Sequence, residues 1–142
     1  MLSQTVEYAL RAMIQLTYVA PGACATEDLS RATQVPCAYL SKVLQGLRRA
    51  GIVHSRRGVG GGVSLARPPE QITLLEVVNA VEPLRRIATC PLGLQSHGTR
   101  LCPLHRKLDN AYAAVEASFA ETTLADIVAT PHHGSKPLCA DA

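Results

Sequence analysis

Apolar residues recur at helical spacing along much of this chain and alternate only briefly. Between residues 3 and 20, Leu10, Met13, Ile14 and Val19 fall among the apolar positions of one amphipathic helix, which Pro21-Gly22 breaks. Thr26 is placed to cap a short helix from Glu27 to Thr33, with Glu27 and Asp28 favourably in its first turn. Gln34-Val35-Pro36 allows only a tight connection to a third helix, whose apolar face is Leu40, Val43, Leu44 and Leu47. Ser41, Lys42, Gln45, Arg48 and Arg49 fall on its other faces, and Gly51 stops it. Ile52-Val53 and Val63-Ser64-Leu65 are short β-branched runs flanking Arg56-Arg57-Gly58-Val59-Gly60-Gly61-Gly62. That pattern predicts a hairpin with a pliable, cationic tip. Helix, short helix, tight turn, third helix and hairpin make a winged helix-turn-helix, mainly α with a small β wing.

Pro68-Pro69 closes this unit, and Thr73-x-x-Glu76 is a capping box opening a helix from Leu74 to Val81. Residues 83–102 carry Arg85, Arg86, Cys90, Pro91 and His97 without sustained period, and read as an irregular loop. Pro103 suits the start of a long helix, along which Leu104, Leu108, Ala111, Tyr112, Val115 and Phe119 form a narrow seam. A seam of that kind outside the winged-helix core is expected to pair with a copy of itself. Thr123-x-x-Asp126 resembles a second capping box before a short helix ending near Ala129, and a Pro/Gly/Ser tail follows from Pro131.

Charge sharpens the picture. From Leu29 to Pro69 the chain has the basic residues Arg31, Lys42, Arg48, Arg49, Arg56, Arg57 and Arg67 and no Asp or Glu. That local bias points to a polyanion more directly than the net charge of +3. An aromatic content of 4% without Trp argues against a base-stacking platform for RNA or single strands. Gly58-x-Gly60 is followed by Val63 and a strand, not by the helix a dinucleotide fingerprint needs, and no P-loop, nucleophile elbow or His-Glu-x-x-His occurs. No enzyme is therefore expected. The first helix is interrupted by Glu7, Arg11 and Gln15, so neither signal peptide nor membrane span is read. Five cysteines, an odd number, do not describe a secreted disulfide framework, and a cytoplasmic location is the expectation.

Several segments together resemble the Rrf-type winged-helix transcription regulators (IscR- and NsrR-like). They are Tyr8 to Met13, Tyr39-Leu40, Leu47 to Val53, the wing Arg57 to Ala66, and Ile72 to Glu82. The resemblance implies a homodimer joined through the long helix and bound to a pseudopalindromic double-stranded operator. The recognition helix would enter the major groove and the wing the adjacent minor groove. The chemistry agrees: glycines let the wing backbone at Gly58, Gly60 and Gly61 approach DNA closely, and Arg57 can enter a narrow, electronegative minor groove. Arg56 is assigned to phosphate, and Tyr39, Ser41 and Lys42 lie near the helix N-terminus, where bases and phosphates are met. Tyr39 can equally pack beside Leu40. The organisation expected is a DNA-binding domain at 1–82, a ligand loop at 83–102, a dimerisation helix with a short terminal helix at 103–130, and a tail at 131–142.

The resemblance also bears on sensing. Cluster-binding members carry C-x5-C-x5-C in the loop before the dimer helix. Here Cys90 and Cys102 hold the outer positions, and Ser96 stands at the midpoint. His105 matches a histidine ligand of the IscR branch, and Glu7 falls where members supply a carboxylate from the other subunit. The expected ligands are thus Cys90, Cys102, His105 and Glu7, with His97 as an alternative, around an iron–sulfur cluster of the 2Fe–2S type. Zinc, a Cys90/Cys102 thiol switch and a loop with no ligand are the competing readings. A protein-interaction adaptor using the long helix is the alternative outside DNA binding.

Overall fold

The computed structural model describes residues 2–94 and 100–130. Its elements are α1 (Gln4–Val19), α2 (Thr26–Thr33), α3 (Cys37–Arg49), β1 (Val53–Arg56), β2 (Gly62–Leu65), α4 (Leu74–Val81), α5 (Pro103–Glu121) and α6 (Leu124–Ala129). The mainly helical winged helix-turn-helix read from the sequence is what forms.

Helix α1 is the hub. Ala9, Ala12, Met13 and Leu16 lose all exposure among Leu29, Leu40, Leu47, Ile72, Val77 and Leu124. Each fully buried aliphatic side chain contributes about 1.5–3 kcal/mol by leaving water. The buried hydroxyls of Thr17 and Thr33 donate to the carbonyls of Met13 and Leu29, so neither is stranded.

Two local expectations are corrected. Thr26 is the first residue of α2 rather than its cap; Ala25 takes that position without a side-chain bond. The first strand lies further along than Ile52-Val53, because His54, Ser55 and Arg56 pair through their backbones while all three side chains face out. Composition carries no signal for such a strand.

The wing is braced. Its register runs from Val53↔Leu65 to Arg56↔Gly62. Cys24 adds a third rung, exchanging two 2.8 Å backbone bonds with Val63. A Cβ at Gly62 would sit 2.5 Å from the Cys24 carbonyl oxygen, so the rung needs a glycine there.

Both capping boxes form, at Thr73/Glu76 and Thr123/Asp126. They also meet. Leu74 N–H donates to the Thr122 carbonyl and Leu124 N–H to that of Ile72, each at 2.9 Å, while Leu124 fills the core. The end of α5 is thereby sewn to the winged helix. Helix α5 itself buries no residue fully: Leu104, Leu108, Tyr112 and Val115 are 62%, 43%, 43% and 37% exposed.

Candidate functional site

The α2–α3 turn is closed by Gln34 in the left-handed region (φ 56°), with the Ser30 hydroxyl donating to the Val35 carbonyl at 2.5 Å. This fixes α3 with Leu40, Val43, Leu44 and Leu47 inward and Cys37, Ala38, Ser41, Lys42, Gln45, Arg48 and Arg49 outward. Ser41 donates back to the Cys37 carbonyl at 3.0 Å, which leaves its oxygen able to accept from an amino group on a base edge. Tyr39 is more committed. Its hydroxyl lies 2.5 Å from that of Thr5, and its ring stands edge-on to Tyr8 at 5.1 Å. Tyr39 therefore holds α1 against α3.

Electrostatics separates the cations. Arg31 pairs with Asp28, and Arg67 bridges to Glu76 at 2.5 Å. Burial by itself would raise the Glu76 carboxyl, but the Thr73 amide and Arg67 outweigh it and hold the carboxyl below its ordinary range. Among the described residues, Lys42, Arg48, Arg49, Arg56 and Arg57 have no carboxylate partner. All five are exposed, on α3 and the adjoining wing. Lys42 and Arg49 flank a groove of about 370 Å³ shared with Thr5, Tyr39 and Ala80. Gln45 is an exposed amide on α3 that the sequence reading left out of the site, and its i+4 spacing from Ser41 was the available signal. In the wing, Arg56 lies in β1 opposite Gly62, leaving Arg57 to Gly61 as the tip. Gly58 and Gly60 both take positive φ, 95° and 75°.

At the other end, Arg86 grips both carboxylate oxygens of Asp109 at 2.7 Å, and the Ile87 amide donates to the same carboxylate at 2.9 Å. The Arg86 bond, then the Ile87 amide, pull the Asp109 carboxyl down to about 2. The loop's first residues are thus stapled to α5. At the start of that helix, Cys102 Sγ lies 3.2 Å from His105 Nδ1. Among the described residues, no three His, Cys, Asp or Glu side chains gather within one chain. Cys90 is half-buried and outside any such group. Glu7 bonds Arg11 at 3.1 Å, and Arg11 also reaches the Thr33 carbonyl at 3.3 Å, behind the helix-turn-helix turn. His97 lies outside the described residues.

A sequence profile described as "Rrf2: Iron-dependent Transcriptional regulator" matches residues 2–130. The chain belongs to the Rrf2 family. It is a DNA-binding transcription regulator, as the Rrf2 proteins are, and not an enzyme. A Mycobacterium tuberculosis protein classed among HTH-type transcriptional regulators is 37% identical over 139 residues, covering 93% of this chain and 84% of the relative. The HTH-type transcriptional repressor NsrR of Streptomyces coelicolor is 28% identical, covering 92% and 89%. In three dimensions this Rrf2 chain is similar to CymR, the global cysteine regulator of B. subtilis (TM-score 0.76, 23% identity, 93% and 98% covered). It is equally similar to T. potens IscR (TM-score 0.76, 23% identity, 94% and 93% covered). Among the described residues, no helix is long and apolar enough to cross a membrane.

Proposed function

We propose that this Rrf2 regulator binds a pseudopalindromic operator as a homodimer and changes its grip in response to metal-centred chemistry at the start of α5. The observation carrying the DNA-binding geometry is the sorting of cations. Within the acid-free stretch from Leu29 to Pro69, Arg31 and Arg67 are paired with Asp28 and Glu76 from outside it, while Lys42, Arg48, Arg49, Arg56 and Arg57 on α3 and the wing are left for phosphate or groove. Ser41 and Gln45 face the major groove, where an amide can bond adenine in bidentate fashion. Arg57 enters the minor groove, Arg56 and Lys42 meet phosphate, and Gly58, Gly60 and Gly61 let the wing backbone approach. The exposed seam of α5 joins the two chains. It is continuous with a groove of about 680 Å³ lined by Tyr112 together with Leu2, Val6, Val81 and Leu84.

For the sensor, the donor types suit an iron–sulfur cluster: two thiols, an imidazole and a carboxylate. Cys102 and His105 are already adjacent. Cys90 and a carboxylate, Glu7 of the partner subunit, would complete the set, and the family's iron-dependent character supports this reading. A bound cluster supplies an oxidant-sensitive tie between subunits. What the chain itself contributes is the staple from Arg86 to Asp109, which keeps the loop beside α5, and the Glu7–Arg11–Thr33 series, which connects the ligand face of α1 to the turn ahead of α3.

A thiol switch is the second reading, and the 3.2 Å contact between Cys102 Sγ and His105 Nδ1 favours it too, because a thiol beside an imidazole is a common setting for redox-active cysteines. The two part on one experiment. Protein purified without oxygen is expected to show visible sulfur-to-iron absorbance and bound iron, both lost in Cys90→Ala and Cys102→Ala. Colourless, iron-free wild type whose operator affinity still follows thiol oxidation would overturn the cluster in favour of the switch. Duplex binding indifferent to salt would overturn both.

A further inference from the structure

The most exposed large apolar residue among those described is Val59, at 110% of its reference area. It sits at the outer corner of the wing. Gly61 N–H donates to the Gly58 carbonyl at 3.0 Å, closing a turn in which Gly60 holds positive φ at the third position, as a type II turn requires. Val59 is the second residue of that turn. The tip has no alternative packing to offer it. A Cβ at Gly61 would collide with the Arg56 carbonyl, so the backbone there is already folded against itself. The stalk is held to the body by the Cys24–Val63 rung. Exposed valines are common singly, but this one lies on a braced turn at the far point of a DNA-binding wing, two residues from Arg57.

We propose that Val59 reads the floor of the minor groove, selecting A·T over G·C at the base pair it covers. This rests on the wing entering that groove, as proposed above. In the minor groove, A·T pairs present only the acceptors adenine N3 and thymine O2, whereas G·C adds the guanine 2-amino group. Over A·T an isopropyl group packs against the adenine C2–H and takes water only from N3 and O2 acceptors, which a G·C pair presents as well. Against guanine, it takes water from an amino group and returns no acceptor. Arg57 beside it is drawn to the same narrow, A·T-rich groove by its potential, so the two side chains favour one kind of sequence for different reasons. Apolar groups do serve as minor-groove wedges in other proteins, which shows the contact is physically reasonable.

The test uses the full chain and a duplex that the wild-type protein selects from a randomised pool. Each adenine is replaced in turn by 2,6-diaminopurine, which adds the amino group to the minor-groove floor and leaves the pairing intact. Wild type is expected to lose affinity by on the order of tenfold at one position in each half-site. Val59→Ala should bind the unmodified duplex several-fold more weakly and lose that sensitivity. Val59→Thr keeps the shape and adds an acceptor, so it should tolerate diaminopurine, and G·C, at the same position. Because Val59 touches no core residue, thermal melts of both variants should overlay the wild type. If Val59→Ala binds as tightly as wild type and still suffers from diaminopurine, while Arg57→Ala weakens binding, the valine is not the reader but the wing is. If no position responds to diaminopurine and Arg57→Ala is neutral, the wing does not enter the minor groove, and both ideas fall.

Discussion

Replacing Leu108 with alanine should weaken the proposed dimer by a predictable amount. Leu108 is 43% exposed in the single chain, with Leu104, Tyr112 and Val115 exposed along the same stripe of α5. Full burial of a leucine contributes about 1.5–3 kcal/mol, so covering the remaining two-fifths contributes ~1 kcal/mol per copy. A two-fold dimer loses the contact in both chains, which gives ~2 kcal/mol, or about 30-fold in the dissociation constant. Only the difference between variants enters, because total buried area does not convert to affinity. Sedimentation equilibrium over a concentration series measures it directly. Asn110→Ala is the control: the residue lies roughly 200° around the helix from Leu108 and should leave the constant alone. Charged residues at Leu108 and Val115 together should give monomers that bind a palindromic duplex poorly, since both half-sites must be held at once. A wild-type chain that stays monomeric, or an unchanged constant in Leu108→Ala, would refute the seam.

Arg11→Ala should keep bound iron but break the series from Glu7 to the Thr33 carbonyl, so that operator affinity measured with and without the cofactor no longer differs. Asp109 has a folded-state carboxyl held at about 2 against an ordinary 3.8, so its contribution to stability is complete above about pH 4 and is lost as pH falls towards 2. In denaturant titrations across that window, Asp109→Asn should be less stable than wild type at neutral pH and should converge with it at the acid end. Leu124→Ala empties a fully buried position and should cost about 2–5 kcal/mol in equilibrium unfolding, although the residue lies beyond the long helix.

The parts of the fold legible in the sequence were those whose signal is local. Periodicity placed α1, α3 and α4, Pro103 placed the start of α5, and two threonines three residues ahead of an acid placed α4 and α6. What escaped was contact between distant segments. Nothing near Cys24 announces a third wing rung, and nothing near Leu124 says that it belongs to the core. The cationic stretch was visible as composition, but not which arginines are spent: Arg67 looks like Arg57 until Glu76, on the next helix, is seen beside it, whereas Asp28 three residues ahead of Arg31 was a local signal. Tyr39 shows the same limit, because its partner Thr5 is remote in sequence. The ligand loop was legible only through its cysteines and histidine, whose spacing sets the order of the donors and not the distances between them.

These long-range contacts place α5 in a definite mechanical position. Its far end is tied to the core through Leu74, Thr122 and Leu124, and its near half to the loop through Asp109. Helix α1 is tied at its own start, where Ser3 donates to Glu82 at the entry of that loop, and again at Arg11 behind the recognition turn. A displacement beginning at Cys102 or His105 cannot be absorbed by free swinging of α5, because the helix is held near both ends. It must either break the Asp109 staple or pass into the loop entry at Glu82 and so to α1. If Glu7 of the partner subunit shares the ligand set, α1 receives the pull a second time, across the dimer. Both routes end at one element, the helix against which Tyr39 and the base of α3 are packed. That convergence gives the proposed sensor a two-state element to bias: the seating of α1 on α3.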